Sequence, residues 1–191
     1  TMKNSFKILS NNIKKKFKPK KILEIGSNDG SFLKNFNKKI SVGIEPCKNV
    51  EKITKKQKFN TIPEYWDIKL AKKIQRKYNN FDLIYSANTI CHIPNLKEVF
   101  DAVSFSLNSD GVFVFEDPYI GSVLKMNSYD QFYDEHVHLF SLLSISKLLK
   151  KSNLRIFDVE LLSTHGGSIR FYVCKKFSKF NCSKRVFILK S

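Results

Sequence analysis

The chain has 191 residues, of which 42% are hydrophobic, and a formal net charge of +17. This length suits one domain with a buried core, and no internal repeat or apolar stretch of the about 18 residues that cross a membrane is visible. The basic N-terminus lacks the apolar core of a signal peptide, and the four cysteines form no C-x-x-C pair. We therefore expect a cytoplasmic domain with no metal, no disulfide framework and no membrane contact.

The excess of basic residues can indicate nucleic-acid binding, because clustered Lys and Arg neutralise phosphates. However, only four of the 34 basic residues are Arg, and the chain is also rich in Asn, Ile and Phe, whose codons are AT-rich like those of Lys. Lysine runs such as residues 14–16 are therefore interpreted mainly as solvated surface. Attraction to anionic substrates stays open, and a nucleic-acid partner is not expected.

Residues 2–17 place apolar side chains among lysines at helical spacing, which predicts a helical extension over residues 1–19. Strand and helix patterns then alternate. Strands are predicted at 21–25, 40–45, 59–62, 81–87, 112–117, 156–162 and 168–174. Helices are predicted at 30–37, 47–57, 67–78, 95–107 and 142–151, with a turn at 108–111. This order predicts an α/β fold over residues 20–176, with a doubly wound, mostly parallel seven-stranded sheet, an antiparallel edge hairpin and a C-terminal tail at 177–191.

The first strand runs into the loop GSNDG at residues 26–30. Gly26 can adopt backbone angles that other residues avoid, and Gly30 is predicted to open a helix whose free N–H groups face the crevice. Glu45 ends the second strand about 20 residues later, where a carboxylate can accept both hydroxyls of a ribose. Such a carboxylate suits NAD and S-adenosylmethionine equally, but the loop is one Gly short of the dinucleotide fingerprint G-x-G-x-x-G. Asp29 also favours a cationic sulfonium ligand over a pyrophosphate.

The segment YDQFYDEHVHLFS at residues 129–141 concentrates titratable side chains. The loops after strands four and five concentrate polar and aromatic side chains where a substrate would lie. On a helix Tyr133 and His136 would share a face, whereas Glu135 and His136 can reach one pocket only if the segment departs from a regular helix. Histidine titrates near neutrality, so His136 is the candidate general base. A structural role for His136 or His138 is the alternative, and His165-Gly166-Gly167 reads as a turn that enters a strand.

Six segments in register resemble the sugar C-methyltransferase family, namely KILEIGSNDGSFL, VGIEP, ANTICHIPNL, DGVFVFEDPY, FYDEHVHLFS and HGGSIRFY. Members of this family use S-adenosylmethionine to methylate carbon 3 of nucleotide-linked 4-keto-deoxysugars. The resemblance implies S-adenosylmethionine as cofactor, S-adenosylhomocysteine as product and a small-molecule acceptor that is a nucleotide sugar.

The resemblance also implies roles for individual residues. The implied cofactor-binding residues are Glu24, Gly26, Ser27, Asn28, Asp29, Gly30, Glu45, Pro46 and Asn88. The implied catalytic residues are Tyr133, Glu135 and His136 of the Y-x-E-H motif, together with Asn88 and His92 after the fourth strand. In the implied mechanism His136 removes the proton next to the ketone, and the enolate attacks the methyl carbon. Glu135 or Tyr133 orients His136, and Tyr133, Asn88 or His92 donates to the enolate oxygen.

Full-length members of that family also carry a cysteine-rich zinc-binding domain and a further α/β domain that grips the nucleotide sugar. The chain resembles the central methyltransferase domain, so we expect a partner chain in place of the flanking domains, a different acceptor, or a fragment of a split gene. Three other functions stay open: an O-methyltransferase acting on a hydroxyl, an S-adenosylmethionine-binding module that is inactive without a partner chain, and an RNA methyltransferase suggested by the charge.

Overall fold

The computed structural model describes residues 2–163 and 167–189. Within these ranges seven strands form one sheet in the order β3-β2-β1-β4-β5-β7-β6. The strands are β1 Ile22–Ile25, β2 Ser41–Ile44, β3 Asn60–Ile62, β4 Phe81–Ala87, β5 Leu107–Pro118, β6 Leu154–Leu162 and β7 Ser168–Lys175. Strands β1 to β5 pair in parallel, whereas β7 is antiparallel to both β5 and β6. The predicted doubly wound sheet with an antiparallel edge hairpin is confirmed.

Seven α-helices accompany the sheet in the described part of the chain. They are α1 Met2–Phe17, α2 Lys48–Lys56, α3 Ile68–Tyr78, α4 Leu96–Ser106, α5 Ile120–Met126, α6 Leu142–Lys150 and α7 Lys184–Ile188. Side-chain caps explain where three of them begin, because Asp67, Asn95 and Ser141 each accept a hydrogen bond from a main-chain N–H of the first turn. Among the described residues no helix has the length and hydrophobicity that a membrane crossing requires.

The alternation of side chains along the central strands divides the core into two parts. In β5, Phe113 and Phe115 belong to the larger cluster, which includes residues of α3, α4 and α6. Val112 and Val114 point to the other face and pack in the smaller cluster with α1. Both faces of the sheet are therefore buried, as a parallel sheet requires.

Two predicted elements are wrong in detail. The predicted helix at 30–37 is a short 3-10 turn at Leu33–Asn35, because the Asn35 side chain binds the carbonyls of Ser31 and Phe32 and competes with helix propagation. Gly30 therefore opens no helix, and its N–H donates to the Ser27 carbonyl over 2.8 Å. The predicted turn at 108–111 lies within β5, where the pairing register with β4 shifts between Phe81 and Leu83.

The order of the strands fixes where a ligand can bind. The chain runs outward from β1 through β2 to β3 on one side, and outward through β4 and β5 on the other. The loops after β1 and β4 therefore diverge and leave a crevice at the carboxyl ends of these strands.

Candidate active site

A cleft of about 470 Å³ lies at this crevice. Its lining residues are Lys3, Phe6, Glu24, Gly26, Ser27, Asn28, Asp29, Ser31, Phe32, Glu45, Pro46, Ala87, Asn88, Thr89 and His92. The structure thus brings together all the predicted cofactor-binding residues except Gly30. Gly30 lies behind the loop, where a side chain would meet Thr54 and Phe59.

Glu45 organises the loop that follows β1. Its Oε2 accepts the N–H of Asn28 over 2.9 Å, and its Oε1 accepts the N–H of Cys47 over 2.9 Å. Asn28 has a positive φ of 44°, a conformation that Asn tolerates better than most residues. Gly26 has a φ of 71°, and a Cβ there would lie 2.2 Å from Oγ1 of Thr89. Glycine is therefore required at position 26 by the loop after β4, which crosses directly over it.

Glu24 is a buried carboxyl group on the floor of the cleft, with 4% of its surface exposed. Burial raises the pKa of Glu24 well above its usual value, although a main-chain hydrogen bond from Leu33 opposes the shift. Its Oε2 has no hydrogen-bond partner among the described residues. A buried acceptor of this kind is costly unless a ligand satisfies it, and a cationic donor satisfies it best.

Asp29 adds an ionised carboxylate at the rim of the cleft. Burial opposes ionisation, but hydrogen bonds from Ser31 and the charge of Lys34 outweigh it and lower the pKa of Asp29. The Asp29 carboxylate also accepts the N–H of Ser31 over 3.0 Å. Together with Glu24 and Glu45 it makes the cleft acidic, in contrast with the basic composition of the whole chain.

Helix α1 closes one side of the cleft, which sequence reasoning missed. Leu9 and Ile13 are buried and anchor the helix, and Phe6 packs edge-on against Phe32 and Tyr85, with ring centroids 6.1 and 6.2 Å away. Lys3 and Phe6 therefore line the cleft. The helical pattern of residues 2–17 was visible in the sequence, but not the part of the sheet that it covers.

The segment of residues 129–138 lies against the loop after β4 through three hydrogen bonds. Nδ1 of His92 binds the carbonyl of Glu135 over 2.5 Å. His138 donates its main-chain N–H to the Cys91 carbonyl over 3.1 Å, and its Nε2 binds the Pro94 carbonyl at 3.3 Å. Apart from a 3-10 turn at Tyr129–Gln131, residues 129–138 are not helical. The segment therefore does depart from a regular helix.

His136 is held in one tautomer by its neighbours. Its Nδ1 lies 2.9 Å from the carbonyl of Gln131, which can only accept, so Nδ1 carries the proton. Its Nε2 lies 2.8 Å from the hydroxyl of Tyr133, so this nitrogen is the acceptor. Tyr133 therefore contacts the candidate base directly, whereas Glu135 presents its main-chain carbonyl to His92 and its side chain is exposed.

Two further buried groups support these loops. Asp117 is completely buried and accepts the main-chain N–H of Cys91 over 3.2 Å. Burial raises the pKa of Asp117 to about 7, although the hydrogen bonds from Cys91 and Thr89 oppose the shift. Burial and the neighbouring Asp117 likewise raise the pKa of the Cys91 thiol well above its usual value.

Below the cleft, Glu116 joins two side chains in a buried polar network. Its Oε1 accepts from the Tyr85 hydroxyl and from Nε of Arg170, both over 2.9 Å. Its main-chain carbonyl accepts the N–H of Asn88 over 2.7 Å, and Asn88 has a φ of 47°. This network fixes the start of the loop after β4. His165 and Gly166 of the HGGS motif lie outside the described residues.

The sheet order and the acidic crevice at its switch point define an S-adenosylmethionine-dependent methyltransferase. Comparison with known proteins agrees with this class. The chain belongs to the methyltransferase domain family, whose model matches residues 4–159.

One curated relative is C-methyltransferase NovU of Streptomyces niveus, which is 34% identical over 150 residues. That match covers 78% of this chain and 36% of NovU, so the chain spans about a third of its length.

Solved structures share the fold at low sequence identity. A S-adenosylmethionine-dependent methyltransferase from Clostridium acetobutylicum superposes with a TM-score of 0.66 at 18% identity, covering 91% of each chain. The plantazolicin methyltransferase BpumL in complex with S-adenosylhomocysteine gives a TM-score of 0.65 at 13% identity, covering 90% of this chain and 82% of BpumL.

Proposed function

We propose that this methyltransferase transfers the methyl group to a carbon next to a ketone, in a nucleotide-activated deoxysugar. The observation that carries the proposal is the Tyr133–His136 pair, which lies beside His92 at the end of the cofactor cleft. The ring centroids of His92 and His136 are 5.1 Å apart. The resemblance of the motifs to sugar C-methyltransferases and the similarity to C-methyltransferase NovU support the same chemistry.

The residues of the cleft fit S-adenosylmethionine. Glu24 would hold the ammonium group of the methionine part, which satisfies its unpartnered Oε2. Glu45 would hold the ribose hydroxyls, and Asn28, Pro46 and Asn88 would line the space between. When bound, S-adenosylmethionine supplies an electrophilic methyl group on its sulfonium. Lys3 is a cation in the same lining and would face the cofactor carboxylate.

His136 would take the proton from the carbon next to the ketone. Its Nε2 lone pair is available because Nδ1 already carries a proton, and the Gln131 carbonyl stabilises the imidazolium that forms. Tyr133 currently donates to that lone pair and is 46% exposed, so an entering substrate can displace its hydroxyl. The displaced hydroxyl, or His92 or Asn88, would then donate to the enolate oxygen.

The matched region spans 36% of NovU. The remaining contacts to the nucleotide would come from groups outside these 191 residues, either in further parts of the same protein or in a partner chain. Surface lysines would contribute to binding its diphosphate, which predicts salt-sensitive binding of sugar nucleotides. A cytoplasmic location is part of the same proposal.

Deuterium exchange at the carbon next to the ketone tests the proposal. A 4-keto sugar nucleotide is incubated in D₂O with the protein and S-adenosylhomocysteine, and exchange is followed by NMR. We expect exchange with the wild type and at least a 100-fold slower rate in His136→Gln, in line with the usual contribution of a general base. Asp130→Asn, in the same segment, is the matched control and should exchange normally.

Other outcomes contradict parts of the proposal. Methylation of a hydroxyl without exchange at carbon would identify an O-methyltransferase. Cofactor binding with no exchange, restored when a second chain is added, would identify a subunit that is inactive alone. Tight, salt-dependent RNA binding would instead favour an RNA methyltransferase.

A further inference from the structure

A second feature of the same region is a cluster of one thiol and two imidazoles. The Sγ of Cys91 and a ring nitrogen each of His92 and His136 all lie within 4.8 Å of one another. Cys91 and His92 come from the 3-10 turn at Ile90–His92, whereas His136 comes from the segment after α5. A tetrahedral zinc ion needs ligand atoms about 3.5 Å apart, given Zn–S and Zn–N bonds of about 2.3 and 2.0 Å. Side-chain rotations that bring these atoms closer by at most about 1.3 Å would complete the ligand set.

The hydrogen bonds around both histidines already have the form seen at metal centres. A histidine that binds a metal usually donates its other ring N–H to a carbonyl or carboxylate, which fixes the tautomer. Nδ1 of His92 binds the Glu135 carbonyl, and Nδ1 of His136 binds the Gln131 carbonyl. Both rings therefore keep their lone pair on Nε2. These two hydrogen bonds support a metal site independently of the distances between the three ligand atoms.

Burial leaves one approach to the cluster. Cys91 is fully buried, while His92 and His136 are half-buried and His92 lines the cleft. An ion would therefore enter from the cleft and bind the Cys91 sulfur on the side of the ion that faces the protein core. Its remaining coordination position would face solvent. Thiolate and imidazole together select zinc over magnesium or calcium, which prefer oxygen ligands.

We propose that Cys91, His92 and His136 form an inhibitory Zn²⁺ site. On binding, a Zn–S bond forms and the thiol proton of Cys91 leaves to solvent, while the two imidazoles coordinate as neutral ligands. The Nε2 lone pair of His136 is then used by the ion and no longer accepts a proton. The binding of zinc stands by itself, whereas the inhibition rests on the proposed role of His136 as base.

The test measures binding directly. Cys47 and Cys182 are exposed and can bind metal adventitiously, so the experiment uses the Cys47→Ser/Cys182→Ser protein. Co²⁺ is titrated and followed by absorption, where a thiolate-to-cobalt charge-transfer band and tetrahedral d–d bands report the geometry. Zn²⁺ affinity then comes from competition with a chromophoric chelator. We expect one ion per chain and bleaching of the cobalt spectrum by zinc.

Variants connect the signal to the cluster. Cys91→Ala should abolish the charge-transfer band and weaken zinc binding by about 100-fold or more, since even loss of an outer partner costs about 10–100-fold. His136→Gln should weaken it similarly, and His138→Gln, outside the cluster, should not. S-adenosylhomocysteine binding by each variant reports that it is folded.

Two results would overturn the site: a cobalt spectrum that Cys91→Ala leaves unchanged, or no stoichiometric binding by the folded parent protein. A failure of the proposed role of His136 gives a different result. Zinc would then still bind at the cluster, but adding zinc would change the rate of methyl transfer equally in the parent protein and in Cys91→Ala.

Discussion

Replacement of Glu45 by alanine tests the cofactor site most sharply. Glu45 is 8% exposed, and its carboxylate accepts two main-chain N–H groups at 2.9 Å. The substitution therefore removes the group proposed to hold the ribose and also two contacts that shape the loop after β1. Both effects are measurable separately, as cofactor affinity and as stability.

The magnitudes follow from the hydrogen bonds. A hydrogen bond to a charged group contributes about 1.5–3 kcal/mol. Because the cleft admits water, the lower end applies to each of the two main-chain bonds, and we expect a loss of about 3 kcal/mol in the free energy of unfolding. Loss of two hydrogen bonds of similar strength from the ribose hydroxyls would also remove about 3 kcal/mol of binding free energy. This loss corresponds to binding that is roughly 100-fold weaker.

Calorimetric titration with S-adenosylhomocysteine and urea unfolding measure the two quantities. Glu45→Gln keeps the size of the side chain but turns one acceptor into a donor, so it should retain part of the stability and little of the affinity. Glu64→Ala removes a carboxylate that is 44% exposed and paired with Lys73, and it should change both quantities by less than about 1 kcal/mol. A folded Glu45→Ala protein that binds within threefold of the wild type would refute this account of the site.

Three further substitutions test the surroundings of the cleft. The raised pKa of Glu24 means that the folded protein keeps a proton which the unfolded chain has released, so stability falls as pH rises above about 4.3. Glu24→Gln should remove this dependence of stability on pH and be more stable than the wild type at pH 8, yet bind S-adenosylmethionine more weakly. Urea unfolding at pH 5 and pH 8 measures the stability, and calorimetry measures the binding. An unchanged dependence of stability on pH would contradict the prediction. Arg170→Met leaves Glu116 buried without its cation and should cost about 3–5 kcal/mol of unfolding free energy, whereas a loss below about 1 kcal/mol would show that the ion pair is not needed. Leu9→Ala should cost about 2–5 kcal/mol and weaken cofactor binding, because α1 carries part of the cleft lining; unchanged affinity in the folded variant would exclude that role of the helix.

The class of fold was predictable, and so was the position of most predicted cofactor-binding residues in one cleft, because the signals of strands, helices and loops are local. The period of apolar residues changes with each strand and helix, and in a parallel sheet the loops after consecutive strands meet at one edge. This places Gly26 and Glu45 together without knowledge of any contact. The prediction of a helix at 30–37 was wrong because the spacing of apolar residues indicates which side chains are buried, not which structure buries them. Phe32 and Leu33 are buried in a turn as fully as they would be in a helix.

The sequence by itself determined the order of strands and helices along the chain, the acidic loop residues of the cleft and the segment that carries His136. The tertiary structure decided which nitrogen of His136 bears a proton, that Tyr133 binds the other nitrogen, and that α1 closes the cleft. It also decided that Cys91 and His92 meet His136. The hydrogen bonds of His136 come from the local, non-helical conformation of its own segment. The other features depend on residues far apart in the chain, such as His92 and Glu135, which are 43 positions apart. Contacts of that range leave no periodicity in the chain, because packing of whole elements creates them.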